Sequence, residues 1–175
     1  MKRFLVILLA VPLLASGAEA DSAATRDAKA LASCIKALDT ECIVSLSYRS
    51  KASIESPNGK ADLVADINGR YGPSATGARV TEVTLMSPSA EFSGDGRRFV
   101  FIPYYMQSWS PGVSYLNNGF LIGVSVDDGM TWKFVDNSRS SADVVLSVYP
   151  AYAGQPPIPT TTGLSIGHNP ALMPR

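Results

Sequence analysis

Residues 99–106 read Phe-Val-Phe-Ile-Pro-Tyr-Tyr-Met, apolar at odd and even positions alike. Successive side chains of a strand point to opposite faces. Phe99, Phe101 and Tyr105 therefore share one face, and Val100, Ile102, Tyr104 and Met106 share the other. Such a strand belongs in the middle of a sheet that is covered on both sides. Helices can cover one face. The other must meet a cavity, the chain's own tail or a partner, because a face this apolar is not left to water. Pro103 interrupts the run and predicts a bulge or bend, which leaves open which of Tyr104 and Tyr105 faces inward.

The helices are supplied upstream. Over residues 22–38, Ala24, Ala28, Leu31, Ile35 and Leu38 recur at helical spacing and make one apolar stripe. Asp39 or Thr40 caps a second helix running to about Tyr48. Asn58 opens a third over 59–71, with Leu63, Ile67 and Tyr71 on its face and Gly72-Pro73 ending it. The pattern then changes to strands. Residues 78–87 are β-rich, and 89–93 and 97–109 flank the hairpin turn Gly94-Asp95-Gly96. Asn117-Asn118-Gly119 follows a loop and leads into 120–126, and Asp127-Asp128-Gly129 turns the chain into 131–136. Residues 141–149 read as a short helix or turn. This order predicts an α+β fold in which N-terminal helices pack on a curved antiparallel sheet, a single domain over 21–149. A proline-rich tail follows over 150–175, either a loose terminus or an extended arm lying along the domain or a partner.

Residues 1–20 have the form of a secretion signal. Met1-Lys2-Arg3 is a positive start, 4–14 is apolar, and Ala18-Glu19-Ala20 is a small-residue cleavage pattern. Eleven apolar residues cover about half a bilayer core, so an anchor is not expected. The expectation is cleavage after Ala20, a periplasmic or secreted protein, and no membrane contact after signal removal. Cys34 and Cys42, the only two cysteines, then read as one disulfide stapling the first two helices near their junction, with two buried thiols as the alternative. Hydrophobic residues make up 46% and charged residues 17%, which excludes a disordered chain. Without the signal, thirteen positive charges face fourteen negative ones, so no basic field for nucleic acid exists.

Ser125-Val126-Asp127-Asp128-Gly129-Met130-Thr131-Trp132 fits S-x-D-x-G-x-T-W. It resembles the Asp box of sialidases and related β-propellers. That resemblance implies that Ser125, Asp127, Gly129, Thr131 and Trp132 stabilise a hairpin and do not catalyse. A propeller needs the motif several times at blade spacing, and it occurs once here in a chain too short for one. Helical hairpin, third helix and curved antiparallel sheet, taken in order over about 25–159, are similar to the nuclear-transport-factor-like cone fold, the superfamily that includes ketosteroid isomerase. The D-x-G-x-x-W-x-F-x-D hairpin from Asp127 to Asp136, followed by a short helix and a proline-bearing tail, resembles its uncharacterised exported bacterial branch. The resemblance implies a concave pocket between sheet and helices. That fold hosts isomerases, dehydratases and non-catalytic binders, so it does not choose among them.

Searches for catalytic patterns are mostly empty. His168 is the only histidine and sits in the tail, so no triad or metal site is expected. Asp66-Ile67-Asn68-Gly69 resembles the middle of a calcium loop, but Val64 and Ala75 occupy its first and twelfth ligand positions. No cofactor motif is present. An isomerase-like site needs a carboxylate base in an apolar pocket and a hydroxyl donor. Glu82, Glu91 and Asp66 are the available carboxylates and Tyr71, Tyr104 and Tyr105 the donors, and no spacing ties them together. A pocket is expected between the third helix and the central strands, with Tyr71, Tyr104, Tyr105 and Trp109 as ligand-binding candidates. The expected function is an exported, non-catalytic binding protein with a cone-like apolar pocket, its partner a small apolar ligand or a protein. The alternatives are a cofactor-free isomerase or dehydratase, and an inhibitor or immunity-type protein that binds another exported protein.

Overall fold

The computed structural model describes residues 21–49, 55–72, 78–137, 145–146, 148–150, 152–160 and 163–164. The expected signal peptide and His168 lie outside the described residues.

Helix α1 spans Ala23–Ala37, and the Ser22 side chain accepts from the Thr25 amide at its start. It buries Ala24, Ala28, Leu31 and Ile35 of the periodic stripe, with Ala32 beside them, while Leu38 is its half-buried C-cap. Leu38 ends it in the left-handed region at φ 53°, with its amide on the last-turn carbonyls. Helix α2 spans Thr40–Leu46, with the Asp39 carboxylate accepting from the Cys42 amide at 3.0 Å. This short turn brings the Cα atoms of Cys34 and Cys42 to 5.8 Å, and the two are bridged. Helix α3 spans Gly59–Tyr71 and buries Ile67 and Tyr71. Among the described residues no helix is long and apolar enough to cross a membrane.

The strands are β1 (Arg79–Leu85), β2 (Phe92–Gly94), β3 (Arg97–Ser110), β4 (Val113–Ser125), β5 (Lys133–Asp136) and β6 (Gly163–Leu164). They form one antiparallel sheet in the order β1-β3-β4-β5, with β2 also on β3 and β6 also on β4. The fold is α+β, with the three helices packed on the sheet.

Two local expectations are corrected. Asn117-Asn118-Gly119 is not a turn boundary but lies inside β4, where Asn117 and Asn118 oppose Met106 and Tyr105. The reversal occurs earlier, at Pro111-Gly112, where Gly112 takes φ 82° and Ser110 pairs with Val113. A proline-glycine pair suits both central turn positions, and it prevails over the Asn-Gly signal. Nor does Pro103 make a bulge, since β3 and β4 stay in continuous register from Arg98 to Ser110. The Pro103 carbonyl accepts from the Met86 amide, so the missing N–H also faces away from β4, toward the β1–β2 connection. The irregularity is in β1, where register shifts between Val80 and Glu82. It has a packing reason. Val80, Val83 and Leu85 all pack on the helix-side core, a spacing that period-two alternation forbids unless one residue is looped out.

The sheet separates two cores. On the helix side, Val100, Ile102, Tyr104, Met106, Leu121, Trp132 and Phe134 meet the three helices. On the other side, Phe99, Phe101, Phe120, Ile122 and Val124 are capped by Val145, Val148, Tyr149, Tyr152 and Ile158. The Tyr149 ring stacks on Phe99 at 4.6 Å between centroids, and Tyr152 lies against Phe92 and Phe101. The described part of the tail is thus an arm lying along the domain, and it covers the face that helices could not.

Candidate functional site

Strand β5 alternates. Phe134 is in the helix-side core and Val135 packs on the opposite one, so Asp136 points back toward the helices. What holds β5 in place is the turn before it. The Asp127 carboxylate accepts from the Thr131 amide at 2.9 Å and the Thr131 hydroxyl at 2.6 Å. Ser125 Oγ accepts from the Gly129 amide at 2.8 Å, and Gly129 takes φ 89°. The two Thr131 bonds, with one from the Ser125 hydroxyl, hold the half-buried Asp127 carboxyl at a pKa of about 2. The Trp132 ring is buried, its indole N–H donates to the Gly129 carbonyl, and its amide donates to Asp27 on α1. The turn is thereby pinned to the first helix.

At the far end of β5, Tyr71 and Tyr104 converge on Asp136. The Tyr104 hydroxyl donates to Asp136 Oδ1 at 2.6 Å, and the Tyr71 hydroxyl donates to Oδ2 in a short bond. Arg70, next in α3, donates from Nη1 to the Asp136 backbone carbonyl at 3.1 Å and from Nε to both oxygens of Asp66. Burial raises the Asp136 carboxyl above its ordinary value, against the opposing pull of the two hydroxyls and Arg70. Burial, followed by the adjacent Asp136 charge, pushes the Tyr71 phenol well above its own.

A cavity of about 100 Å³ opens beside this cluster. Leu31, Ile43, Leu63, Ile67, Phe134 and Val135 supply its apolar lining, the hydrogen-bonded set Asp136, Tyr71, Arg70 and Asp66 its main polar group, and Ser47 and Tyr48 complete it. Deeper in, between α1 and the sheet, only about 10 Å³ remains, lined by Tyr71, Tyr104, Val83 and Met106 among others. The space therefore lies between α3 and the edge strand β5, and the central strands are already packed.

Of the four sequence candidates for ligand contact, Tyr71 and Tyr104 come together and the other two stand apart. Tyr105 points to the opposite side, 39% exposed, and Trp109 lies far along β3 under the Arg79 guanidinium. The candidate carboxylates Glu82 and Glu91 pair with Lys36 and Arg98 on the surface. Asp66 alone lines the cavity. The carboxylate at the centre, Asp136, was not among them. Its signal was present in the sequence, since alternation from Phe134 places it on the buried face. Among the described residues, no group of three or more His, Cys, Asp or Glu is placed to hold a metal ion. Comparison with protein-family models, curated proteins and solved structures finds no match.

Proposed function

We propose that the chain is an exported, non-catalytic binding protein of the cone-like type, which takes one end of a small organic ligand into the recess between α3 and β5. The observation that carries this reading is the recess itself, with an apolar lining and one main polar group. That division is typical of small-molecule sites, where apolar contact supplies affinity and a few polar groups fix orientation. A dry cavity of about 150 Å³ holds benzene, so this recess takes a smaller group and leaves the rest of the ligand at the mouth. The reading includes removal of residues 1–20, and it takes the Ser125–Trp132 turn as an Asp-box-like device that holds β5, and hence Asp136, in place.

One observation favours the enzyme alternative: a carboxyl with a raised pKa beside two phenols is the equipment of proton transfer. Against it, both Asp136 oxygens already accept a hydroxyl and both hydroxyls already donate to Asp136. The base and the oxyanion donors thus satisfy one another, which supports binding over catalysis.

Native mass spectrometry on protein recovered from the periplasm or medium of an expressing bacterium tests the reading. The expected mass begins at Asp21, with the Cys34–Cys42 bridge intact and a small retained molecule. Leu63→Trp, a partly exposed position on the recess wall, should empty the protein of that molecule with little change in melting. Retention unchanged by Leu63→Trp sinks the assignment of the recess. Turnover of the retained molecule by the purified protein would replace binding with catalysis.

A further inference from the structure

Among the described residues, an open groove of about 700 Å³ lies between the end of α2 and the β3, β4 and β5 strands, at the Val124 end of the second sheet face. That is within the size range of small-molecule sites. Three valines line it, Val126 at 72% exposure, Val44 half-buried and Val124 buried at its inner edge, together with Tyr48, Arg97 and Lys133. Register explains the grouping. Lys133 opposes Val124 and Val124 opposes Phe99, so odd residues of β3 and β5 and even residues of β4 share this face. Arg97 and Lys133 are separated by β4 alone, about 10 Å of sheet at two strand spacings. Side chains of their length can converge on one small group.

Charge marks this groove, although Arg79 likewise meets an aromatic ring and not a carboxylate. The chain has equal numbers of formal positive and negative charges. Among the described residues Arg26, Lys29, Lys36, Lys60, Arg70 and Arg98 each meet a carboxylate. Arg97 and Lys133 instead meet neutral oxygens. Arg97 donates to the Tyr48 hydroxyl at 2.8 Å and Lys133 to the Ser45 backbone carbonyl. Arg49 and Glu55 also line the groove and offset each other in charge. Two cations without a countercharge thus stand on one valine-lined groove.

We propose that this groove is a second binding site, distinct from the α3–β5 recess, for an anionic amphiphile. Its carboxylate sits between Arg97 and Lys133, and its hydrocarbon chain lies over Val44, Val124 and Val126. Charge-assisted bonds to Arg and Lys hold the head, and the valines remove the chain from water.

The test is an amide-resolved NMR titration of the whole protein at low salt with octanoate. Octanol supplies the tail without the charge, octyltrimethylammonium reverses the charge, and phosphatidylglycerol vesicles present an anionic membrane surface. Octanoate should shift groove residues selectively at millimolar concentration and bind at least about tenfold more tightly than octanol, a gap of about 1.4 kcal/mol. Arg97→Gln with Lys133→Gln should abolish that preference. Because Lys133 also braces α2 and Arg97 the Tyr48 that follows it, Val126→Glu is the companion variant. It alters an exposed side chain, should leave melting unchanged, and should repel octanoate. Equal binding of octanol or of the cationic amphiphile, or octanoate shifts confined to the α3–β5 recess, overturns the proposal. Vesicle binding without octanoate binding overturns it in favour of a membrane surface.

Discussion

Replacing Gly94 with alanine places a methyl group on the Oη and Cζ atoms of Tyr149, so the ring must leave its seat. Gly94 has ordinary strand dihedrals, and the backbone itself accepts alanine. The cost is then what Tyr149 contributes where it lies. Its ring stacks on Phe99 at 4.6 Å, tilts against Phe92 at 5.9 Å and meets Tyr152 edge-on at 6.4 Å. At about 0.5–1.5 kcal/mol for each aromatic pair, the loss is about 1.5–4.5 kcal/mol. For a domain of this size that lowers melting by about 4–14 °C. Tyr149→Ala should cost about the same, and the double variant no more than either alone, because the methyl then clashes with nothing. Urea unfolding of the four proteins measures the coupling directly. Additive costs would refute the reasoning, since they would mean that the arm does not seat Tyr149 against β2 and β3.

Trp132→Ala should lose about 3–5 kcal/mol, because a buried ring and an indole hydrogen bond go together; denaturant titration measures it. Gly123→Ala should cost about 1–3 kcal/mol by overpacking, with the new methyl 2.7 Å from Val100 Cγ1 and 3.1 Å from both Trp132 and Phe134. Reduction of the Cys34–Cys42 bridge should remove about 2.5 kcal/mol by the chain-entropy estimate for so short a loop, read as a lower melting temperature in dithiothreitol. Asp127 and Asp136 should titrate with opposite sign. The folded pKa of Asp127 is depressed, so its contribution is present above 3.8 and is lost as pH falls through about 2. That of Asp136 is raised, so its charge costs stability as pH rises from 3.8 through the raised value. Melting curves from pH 2 upward should therefore change shape in opposite directions in Asp127→Asn and Asp136→Asn.

The helices were legible because their stripes and flanking residues agree. Asp39 caps α2 as expected, whereas Asn58 stands before Gly59 without a side-chain cap bond, and α3 ends at Tyr71, just before Gly72. The two-faced strand was legible from Phe99 to Met106, and so was the need for something to cover its second face. Which segment would cover it was not, because Tyr149, Tyr152 and Ile158 follow no period that distinguishes an arm from a loose end. The bulge was expected at Pro103 and occurs at Thr81, because the constraint was the uneven Val80, Val83, Leu85 spacing. At the site, Tyr71 and Tyr104 were readable as inward aromatics. Their meeting on Asp136 is a contact across 65 and 32 residues, and no local pattern encodes it.

The arm also imposes an order in time. A chain is made from its first residue to its last, so α1 through β5 emerge before the segment that covers their second face. Tyr149 comes 56 residues after Ser93, whose carbonyl it reaches. Until that segment arrives, Phe99, Phe101 and Phe120 form a bare aromatic surface on an otherwise paired sheet, the kind of surface that draws nascent chains into aggregates. Truncation ahead of Val145 would make that passing state permanent.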